Sequence, residues 1–564
     1  MGPPIKSRRG EILVGFFYFR TEDYDGGSFD DRQNGKLDRR NNSKDNKTMN
    51  YRIHNLNRPI DSEPAFYEEA IEKLTGLKKG HYTWRRHRES IDARKGRTMQ
   101  FTATVDIAVE KKLKTNKKIT AIHEEPYDLS PIQSEGRPII VGAGPAGLFC
   151  AYVLASRGVK PLILERGDRV EERIKCVESF WNGGELDTES NVQFGEGGAG
   201  TFSDGKLTSR SKDPRGRFVL ELFSRLAKDE SILYKKKPHV GTDALRKVLV
   251  MLRKELEEMG AEFHFRTRFD GFSREGDKFS VETSKGNVEG DCIVLAPGHS
   301  ARDTFEYLEK ANMAMESKPF AVGFRIESDQ KTIDENQYGD MCGHLPAADY
   351  QVSAQIEGRG VYSFCMCPGG KVVASQSEEH TIVTNGMSYK AREGKNANAA
   401  ILVTIDESVY GEGVMAGVEF QRMIEKKAYD MSGSYKAPTQ SVARYLGKEE
   451  EDTVAPTYLP GTYAADLHSL YPKALDDTLT EGLRQIGEYF PALVEGAILT
   501  APETRSSSPV RLTRDRESLE SLRHENIYPA GEGAGYAGGI VSSAIDGMRI
   551  AEKIIEKEKD HVRH

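Results

Sequence analysis

Three glycines near position 140 have the spacing of a phosphate-binding turn. Gly142, Gly144 and Gly147 form G-x-G-x-x-G within the segment I-I-V-G-A-G-P-A-G-L. The first glycine allows a tight turn, the second lets the backbone approach a pyrophosphate, and the third lets a helix pack closely on a strand. Pro145 and Ala146 would open that helix, whose free N–H groups and positive end attract phosphate.

An acidic residue lies where a bound nucleotide would need one. Glu165, followed by Arg166, ends the next apolar strand 23 residues after Gly142, at the position where a carboxylate binds ribose hydroxyls. The motif also follows an apolar strand and precedes a helix. Together these conditions predict a dinucleotide site, against the alternative of a glycine turn that serves packing alone.

The carboxyl-terminal region contains a second turn that distinguishes FAD from NAD. Residues 527–551 predict a strand, an acidic turn with Gly531 and Glu532, and a glycine-rich start of a helix at Gly538, Gly539 and Ile540. FAD is long and needs a second acid-bearing turn, and a helix N-terminus aimed at the ring would stabilise negative charge on reduced flavin. The alternative is an ordinary strand-to-helix turn.

Two further segments fit the same cofactor. The apolar strand that begins at Cys292 ends in A-P-G, with Ala296 and Gly298, where such folds return beneath the first glycines. The segment Q-F-G-E-G-G-A-G-T-F-S-D-G-K has little side-chain bulk and could lie against a ring system or phosphates; a mobile surface loop is the alternative. Its candidate cofactor residues are Gly195, Gly197, Gly198, Gly200 and Thr201.

Four side chains are the candidates for catalysis. Cys365 and Cys367 could exchange electrons with flavin, although one intervening residue makes a strained ring and buried thiols are often simple apolar groups. His299 could donate a proton or bind an anionic substrate, or it could cap a turn. Arg505, like Arg511, could hold a substrate carboxylate or pair with acids between domains.

These residues resemble a known pattern. From about Met49 to the end, the chain is similar to a widespread bacterial family of FAD-dependent dehydrogenases that has no agreed substrate. The motifs that carry the resemblance are S-I-D-A-R, V-G-A-G-P-A-G, F-G-E-G-G-A-G-T-F-S-D-G-K-L, G-H-S-A-R-D-T, F-C-M-C-P-G-G, T-N-G-M-S-Y, E-T-R-S-S-S-P-V-R and A-G-E-G-A-G-Y-A-G-G-I. The resemblance implies non-covalent FAD, a glutathione-reductase-like flavin domain, an N-terminal α/β module and a family-specific C-terminal substrate region.

The elements that must position these residues predict an α/β protein with a doubly wound, Rossmann-like FAD-binding domain that is discontinuous in sequence. We expect five parts: a flexible extension at 1–48, a small ferredoxin-like α/β module at 49–130, the first flavin part at 137–305, a mixed α/β substrate domain at 306–500, and the second flavin part at 501–557. The extension is either an upstream addition before a start at Met49 or a genuine flexible tail.

Composition narrows the function classes. The net charge is −7 over 564 residues and 37% of the residues are hydrophobic, with no apolar stretch long enough to span a bilayer. The six dispersed cysteines suit a reducing cytoplasm. No group of residues has the spacing of metal ligands. We interpret the basic run Arg85–Arg88 as a strand face that is solvated or docks on the acidic remainder of the chain, and consider a nucleic-acid site the alternative.

The predicted function is an FAD-dependent oxidoreductase acting on a small organic substrate, with NADH or NADPH as a transient reductant because no second dinucleotide unit follows. A flavin hydroxylase, a nucleic-acid-associated flavoprotein and a purely structural flavin are the alternatives. The sequence predicts no membrane association and does not predict the oligomeric state.

Overall fold

The computed structural model describes residues 48–62, 65–94, 97–123, 125–209, 211–449 and 452–563. Most of the predicted extension at 1–48 lies outside the described residues. The first strand begins at Met49.

The N-terminal module is a four-stranded antiparallel sheet with one helix against it. Its strand order is β2-β3-β1-β4, so β3 lies between the two strands that the helix connects, as in ferredoxin-like modules. Alternate residues of β1, including Tyr51 and Ile53, are buried against the helix residues Tyr67 and Ile71. The elements are β1 (Met49–Pro59), α1 (Phe66–Thr75), β2 (Tyr82–Asp92), β3 (Gln100–Val109) and β4 (Ile119–Ala121).

The flavin part is built on a five-stranded parallel sheet. Pro138–Val141 is apolar throughout and buried on both faces, as parallel strands require. The following helix is buried from Ala146 to Ala155, because it lies between this sheet and the last helix of the chain. The elements in chain order are β5 (Pro138–Val141), α2 (Pro145–Ser156), β6 (Leu162–Leu164), α3 (Val170–Trp181), α4 (Arg215–Ala227), α5 (Ser231–Tyr234), α6 (Thr242–Glu258), β7 (Glu262–His264), β8 (Phe269–Glu275), β9 (Lys278–Thr283), β10 (Val288–Gly290), β11 (Cys292–Leu295) and α7 (Arg302–Lys310).

The next region forms a seven-stranded sheet with its own apolar core. Its strand order is β14-β15-β18-β13-β21-β19-β20. Strand β21 (Ile498–Glu503), the strand of this sheet that comes last in the sequence, continues three residues beyond the boundary expected at 500. The elements are β12 (Met315–Ser317), β13 (Phe320–Asp329), α8 (Gln330–Tyr338), β14 (Ser353–Ile356), β15 (Arg359–Cys367), β16 (Lys371–Ala374), β17 (Thr384–Met387), β18 (Asn396–Ile405), α9 (Glu407–Tyr410), α10 (Ala416–Asp430), β19 (Ala437–Ser441), α11 (Val442–Tyr445), β20 (Thr462–Ala464), α12 (Lys473–Tyr489) and β21 (Ile498–Glu503).

The end of the chain returns to the flavin part. The remaining elements are β22 (Val510–Leu512), β23 (Ile527–Pro529) and α13 (Ile540–Arg563). In the parallel sheet the order is β23-β11-β5-β6-β7, so a strand from the carboxyl-terminal region pairs with β11 beside the first glycine turn. The predicted doubly wound, discontinuous fold is confirmed.

Candidate functional site

The first glycine turn is held by close backbone contacts. Gly142 has φ +102°, and a β-carbon there would lie 2.2 Å from the carbonyl oxygen of Ala296. A β-carbon at Gly147 would lie 2.0 Å from the carbonyl oxygen of Gly142, so the third glycine lets α2 pack on the turn. Gly144 caps α2 without a side-chain hydrogen bond, which leaves N–H groups of the first turn for an anion.

The second glycine-rich loop touches the N-termini of two helices. A β-carbon at Gly198 would lie 3.3 Å from Cα of Gly144, and one at Gly200 would lie 3.3 Å from Cγ1 of Ile540. The loop therefore connects the start of α2 with the start of α13. Any side chain at these positions would narrow the space between the two helix ends.

The carboxyl-terminal turn packs directly against the first one. A β-carbon at Gly531 would lie 2.7 Å from that of Ala146, and one at Gly533 would lie 2.6 Å from the carbonyl oxygen of Gly298. Gly538 and Gly539 have open space around them at the start of α13. Four glycine-bearing segments that are up to about 400 residues apart thus meet at one place.

These segments surround a cavity of about 1550 Å³. The volume exceeds the roughly 300–1,000 Å³ of sites for drug-sized ligands, so a long cofactor and part of a substrate have room. The predicted cofactor residues on its wall are Gly142, Gly144, Pro145, Ala146, Glu165, Arg166, Gly195, Gly198, Gly200, Ala296, Gly298, Glu532, Gly538, Gly539 and Ile540.

Four predicted cofactor residues lie behind the wall, which corrects the expectation that they would contact the ligand. Gly147 and Gly531 allow packing around α2, as described above. A β-carbon at Gly197 would meet Leu249 at 2.3 Å, and the buried Thr201 hydroxyl donates to the carbonyl of Glu196 at 3.0 Å. These residues shape the cavity without lining it.

Glu165 stabilises the turns on which the cavity depends. Its carboxylate accepts backbone N–H bonds from Ala143, Gly167 and Gly195, each at 2.9 Å. A carboxylate offers about four acceptor positions, so one remains for a ribose hydroxyl. The guanidinium of the neighbouring Arg166 lies 4.1 Å over the ring of Phe194.

Arg173, which belongs to none of the predicted motifs, holds the second glycine loop. Its buried guanidinium donates to the carbonyls of Asn191 at 2.8 Å, Val192 at 2.9 Å and Glu196 at 2.7 Å, and to two more loop carbonyls. Burial lowers the pKa of Arg173 to about 10. A signal was present, because this charged residue lies on the apolar face of α3 with Val170 and Val177.

A chain of hydrogen bonds assigns the proton of His299. The Gln193 amide nitrogen donates to the Ser375 carbonyl at 3.1 Å, so its oxygen accepts the Ser300 hydroxyl at 3.0 Å. The Ser300 oxygen, 3.2 Å from Nδ1 of His299, must then accept a hydrogen bond from the N–H at Nδ1, which leaves Nε2 as an acceptor. Burial, with Arg505 and Arg302 adding to it, lowers the pKa of His299 to about 4, so the ring is neutral at pH 7.

Two carboxyl groups on the cavity wall have raised pKa values. Burial raises the pKa of Glu532 to about 7, and its carboxylate accepts no protein hydrogen bond within the described residues. Burial also raises the pKa of Glu503 to about 7, although Arg325 donates to it at 3.0 Å. Both groups can exchange protons near neutral pH.

Arg505 pairs with a buried acid. It binds Glu425 in a bidentate way at 3.0 and 2.8 Å, and Arg302 binds the same carboxylate at 2.8 and 2.9 Å. The surface residue Arg511 pairs with Glu316 at 2.8 Å. Both arginines therefore pair with acids, and Arg505 also reaches the cavity wall, so its role toward a substrate stays a prediction.

The two predicted catalytic cysteines differ in position. Cys365 lies on the cavity wall, whereas Cys367 is fully buried and does not line it. Because of a bulge in β15, only Cys365 of the pair borders the cavity, and the catalytic role of the two thiols stays a prediction.

Outside the cavity, two polar clusters of the described residues are paired with other side chains of the protein. Asp168, Cys176 and Asp187 are close enough to share an ion, but the guanidinium of Arg266 contacts all three. In the basic run, Arg85 pairs with Asp106 and Arg86 stacks on Tyr234. Among the helices of the described residues, none has both the length and the apolar composition needed to cross a membrane.

Comparisons with known proteins agree with this architecture. Residues 319–506 match a family described as "FAD-dependent protein, C-terminal domain-like", and residues 140–195 match an NAD(P)-binding Rossmann-like domain. An "Uncharacterized protein" from Clostridium beijerinckii is 43% identical over 533 residues, which covers 90% of this chain and 99% of that relative.

Solved structures show only a distant likeness. The halogenase PltM in complex with phloroglucinol and FAD is 13% identical, with 76% of this chain and 71% of that chain covered and a TM-score of 0.36. NikD, an unusual amino acid oxidase, is 12% identical over 74% of this chain and 94% of that chain, with a TM-score of 0.34.

Proposed function

Since the chain belongs to the family of FAD-dependent proteins defined by the domain at residues 319–506, we propose that it is an oxidoreductase of the dehydrogenase or reductase type acting on a small organic substrate. The observation that carries the proposal is the meeting of the glycine segments at one cavity, whose wall also contains His299, Cys365 and Glu503. Cofactor-binding and proton-handling groups therefore share a single space.

The chain's own residues fit FAD. The N–H groups at the start of α2 suit the pyrophosphate, and the remaining acceptor position of Glu165 suits a ribose hydroxyl. Glu532 and the open glycines before α13 suit the flavin side. FAD, when bound, supplies the transfer of hydride or single electrons, and the protein supplies binding, orientation and proton handling.

His299 is the proposed base. Its Nε2 is unprotonated and its Nδ1 is oriented through Ser300 and Gln193, so it can take a proton from a substrate hydroxyl or amine. A neutral ring at pH 7 is the form that this role requires. We propose that NADH or NADPH, where used, binds transiently in the same cavity.

The test begins with the purified full-length protein and its visible spectrum. NADH and NADPH are added separately without oxygen, followed by a panel of small alcohols, amines and acids, and flavin bleaching is recorded. For the active donor, His299→Gln should keep the flavin spectrum and slow bleaching by about 10²-fold or more. His264→Gln is the matched control, because that ring pairs with Glu262 and does not line the cavity.

Two results would contradict the proposal. The first is a colourless protein that takes up no FAD on reconstitution. The second is a bound flavin that no nicotinamide nucleotide and no compound of the panel reduces.

A further inference from the structure

The segment around Cys365 departs from a regular strand. Phe364 pairs with Ala400 and Cys367 with Asn398, so Cys365 and Met366 together occupy one position opposite β18. Such a bulge redirects side chains. Cys365 has φ +43°, in the left-handed region that non-glycine residues seldom adopt, and functional sites often contain such residues.

The bulge brings the two cysteines toward each other. The sulfur of Cys367 lies 3.3 Å from the carbonyl oxygen of Cys365, so it turns back along the chain. Cys365 borders the cavity and Cys367 lies behind it. A molecule in the cavity can therefore reach the first sulfur but not the second.

Two cations converge on this bulge. Lys206, from the second glycine loop, donates to the carbonyl of Met366. Arg325 donates to the carbonyl of Cys365 at 2.9 Å and to the sulfur of Cys367 at 3.5 Å. Positive groups on both sides favour a thiolate over a thiol.

The pKa values of the two thiols move in opposite directions. The neighbouring Cys367 thiol, followed by Lys206 and Arg325, holds the pKa of Cys365 well below its usual value, while Cys365 holds that of Cys367 well above it. The titratable or charged groups that face the pair are Lys206, Arg325, Asp204, Glu503, Glu532 and Tyr350.

We propose that Cys365 and Cys367 are a redox dithiol, with Cys365 as the nucleophile toward a small-molecule disulfide in the cavity and Cys367 as the resolving thiol. Cys365 attacks one sulfur of the disulfide, and the first small thiol leaves and takes a proton from solvent. Cys367 then gives its proton to solvent and attacks the sulfur of Cys365, which releases the second thiol. One small disulfide becomes two thiols, and the two protein thiols become one disulfide.

The reduction of this disulfide by two electrons rests on the flavin chemistry proposed above, but the thiol exchange itself does not.

The thiol pKa values of three other cysteines move in the opposite direction from that of Cys365. Burial raises the pKa of Cys150 and Cys292 well above the usual value, and burial beside Asp168 raises that of Cys176. Cys342 is partly exposed and serves as a control.

The first measurement uses the full-length wild-type protein as purified. Brief treatment with limiting iodoacetamide at pH 6, followed by peptide mass mapping, should label Cys365 at least about tenfold faster than Cys342, because only a thiolate reacts and the cations around Cys365 hold its pKa well below the usual value. Labelling of Cys342 at the same rate as Cys365 would overturn the assignment of the nucleophile.

The second measurement uses hydroxyethyl disulfide as the probe. Wild-type protein should lose two hydrogens in the peptide that carries both cysteines, whereas Cys367→Ser should retain the small thiol as an adduct on Cys365. Cys365→Ser should show neither product, and Cys342→Ser should behave as wild type. Absence of the internal disulfide in wild type overturns the proposal even if a variant fails to fold.

The two proposals can fail separately. A protein that shows the thiol products but whose flavin no donor reduces would retain the dithiol and lose the proposed function. A protein whose flavin is reduced by a donor but that shows no thiol products would retain the proposed function and lose the dithiol.

Discussion

Replacing Arg173 by methionine should weaken FAD binding through the second glycine loop. The methionine keeps an apolar chain of similar length but removes the hydrogen bonds that the Arg173 guanidinium donates to the loop. Three of the five carbonyls retain another donor. The Gly195 carbonyl also accepts the N–H of Gly198, and the Gly198 carbonyl accepts the N–H of Thr201. The Glu196 carbonyl accepts the Thr201 hydroxyl. The carbonyls of Asn191 and Val192 have no other partner within the described residues.

The expected magnitude follows from those two carbonyls. Each buried acceptor left unsatisfied costs about 1–3 kcal/mol, so the ordered loop loses about 2–6 kcal/mol, partly offset because a buried charge is removed. If binding must restore the loop, a cost of about 2 kcal/mol raises the Kd for FAD about 30-fold. The assay is titration of the apoprotein with FAD, followed by flavin fluorescence.

Arg246→Met is the matched control. Both guanidinium groups lie over the ring of Phe202, at 5.0 Å for Arg173 and 4.7 Å for Arg246, but only Arg173 donates to the loop. We expect Arg246→Met to change the Kd less than fivefold. Equal losses in the two variants would show that stacking on Phe202, and not the carbonyl bonds, orders the loop.

Three other predictions concern the turn, the histidine and the buried ion cluster. Gly142→Ala should yield protein with little flavin absorbance, because its β-carbon would lie 2.2 Å from the Ala296 carbonyl oxygen, while Gly276→Ala, with open space around it, should remain yellow. The pKa of His299 in the folded protein lies below its unfolded value of 6.5, so the unfolded state gains a proton first as the pH falls. The free energy of unfolding should therefore fall between pH 6.5 and pH 4. Urea titrations should show a smaller fall in His299→Gln. Glu425→Gln should lower the free energy of unfolding by up to about 3–5 kcal/mol, because Arg302 and Arg505 lose their fully buried carboxylate and keep only the partly exposed Glu378 as a charge partner. Glu419→Gln, on an exposed pair, should cost under about 1 kcal/mol in the same assay.

The sequence predicted those parts of the site whose geometry depends on residues close together in the chain. The spacing of Gly142, Gly144 and Gly147 encodes contacts within six residues, and Glu532 follows a strand and precedes a glycine-rich helix start. A sequence shows such geometry because the turn itself requires those residue types. The parallel pairing of β11 with both β5 and β23 then brings the two turns together.

The unpredictable part consists of contacts between distant residues. Gln193 reaches Ser300 and Ser375 across 107 and 182 positions, and Glu425 reaches Arg302 across 123. No local pattern specifies these partners. The bulge at Cys365 is similar, because regular alternation would place Cys365 and Cys367 on one face of β15, and only the pairing with β18 shows otherwise.

The buried cluster of Arg302, Arg505 and Glu425 also joins the flavin part to the seven-stranded sheet region. Arg302 begins α7, three residues after His299, while Glu425 lies on α10 beyond the first strands of the seven-stranded sheet. The pairing of these two buried groups therefore fixes where the proposed base lies relative to Cys365 and Glu503, which come from that sheet. Because Ala530, just after β23, and Ile540, at the start of α13, line the same wall, the cofactor site is complete only with the last part of the chain packed against the first glycine turn.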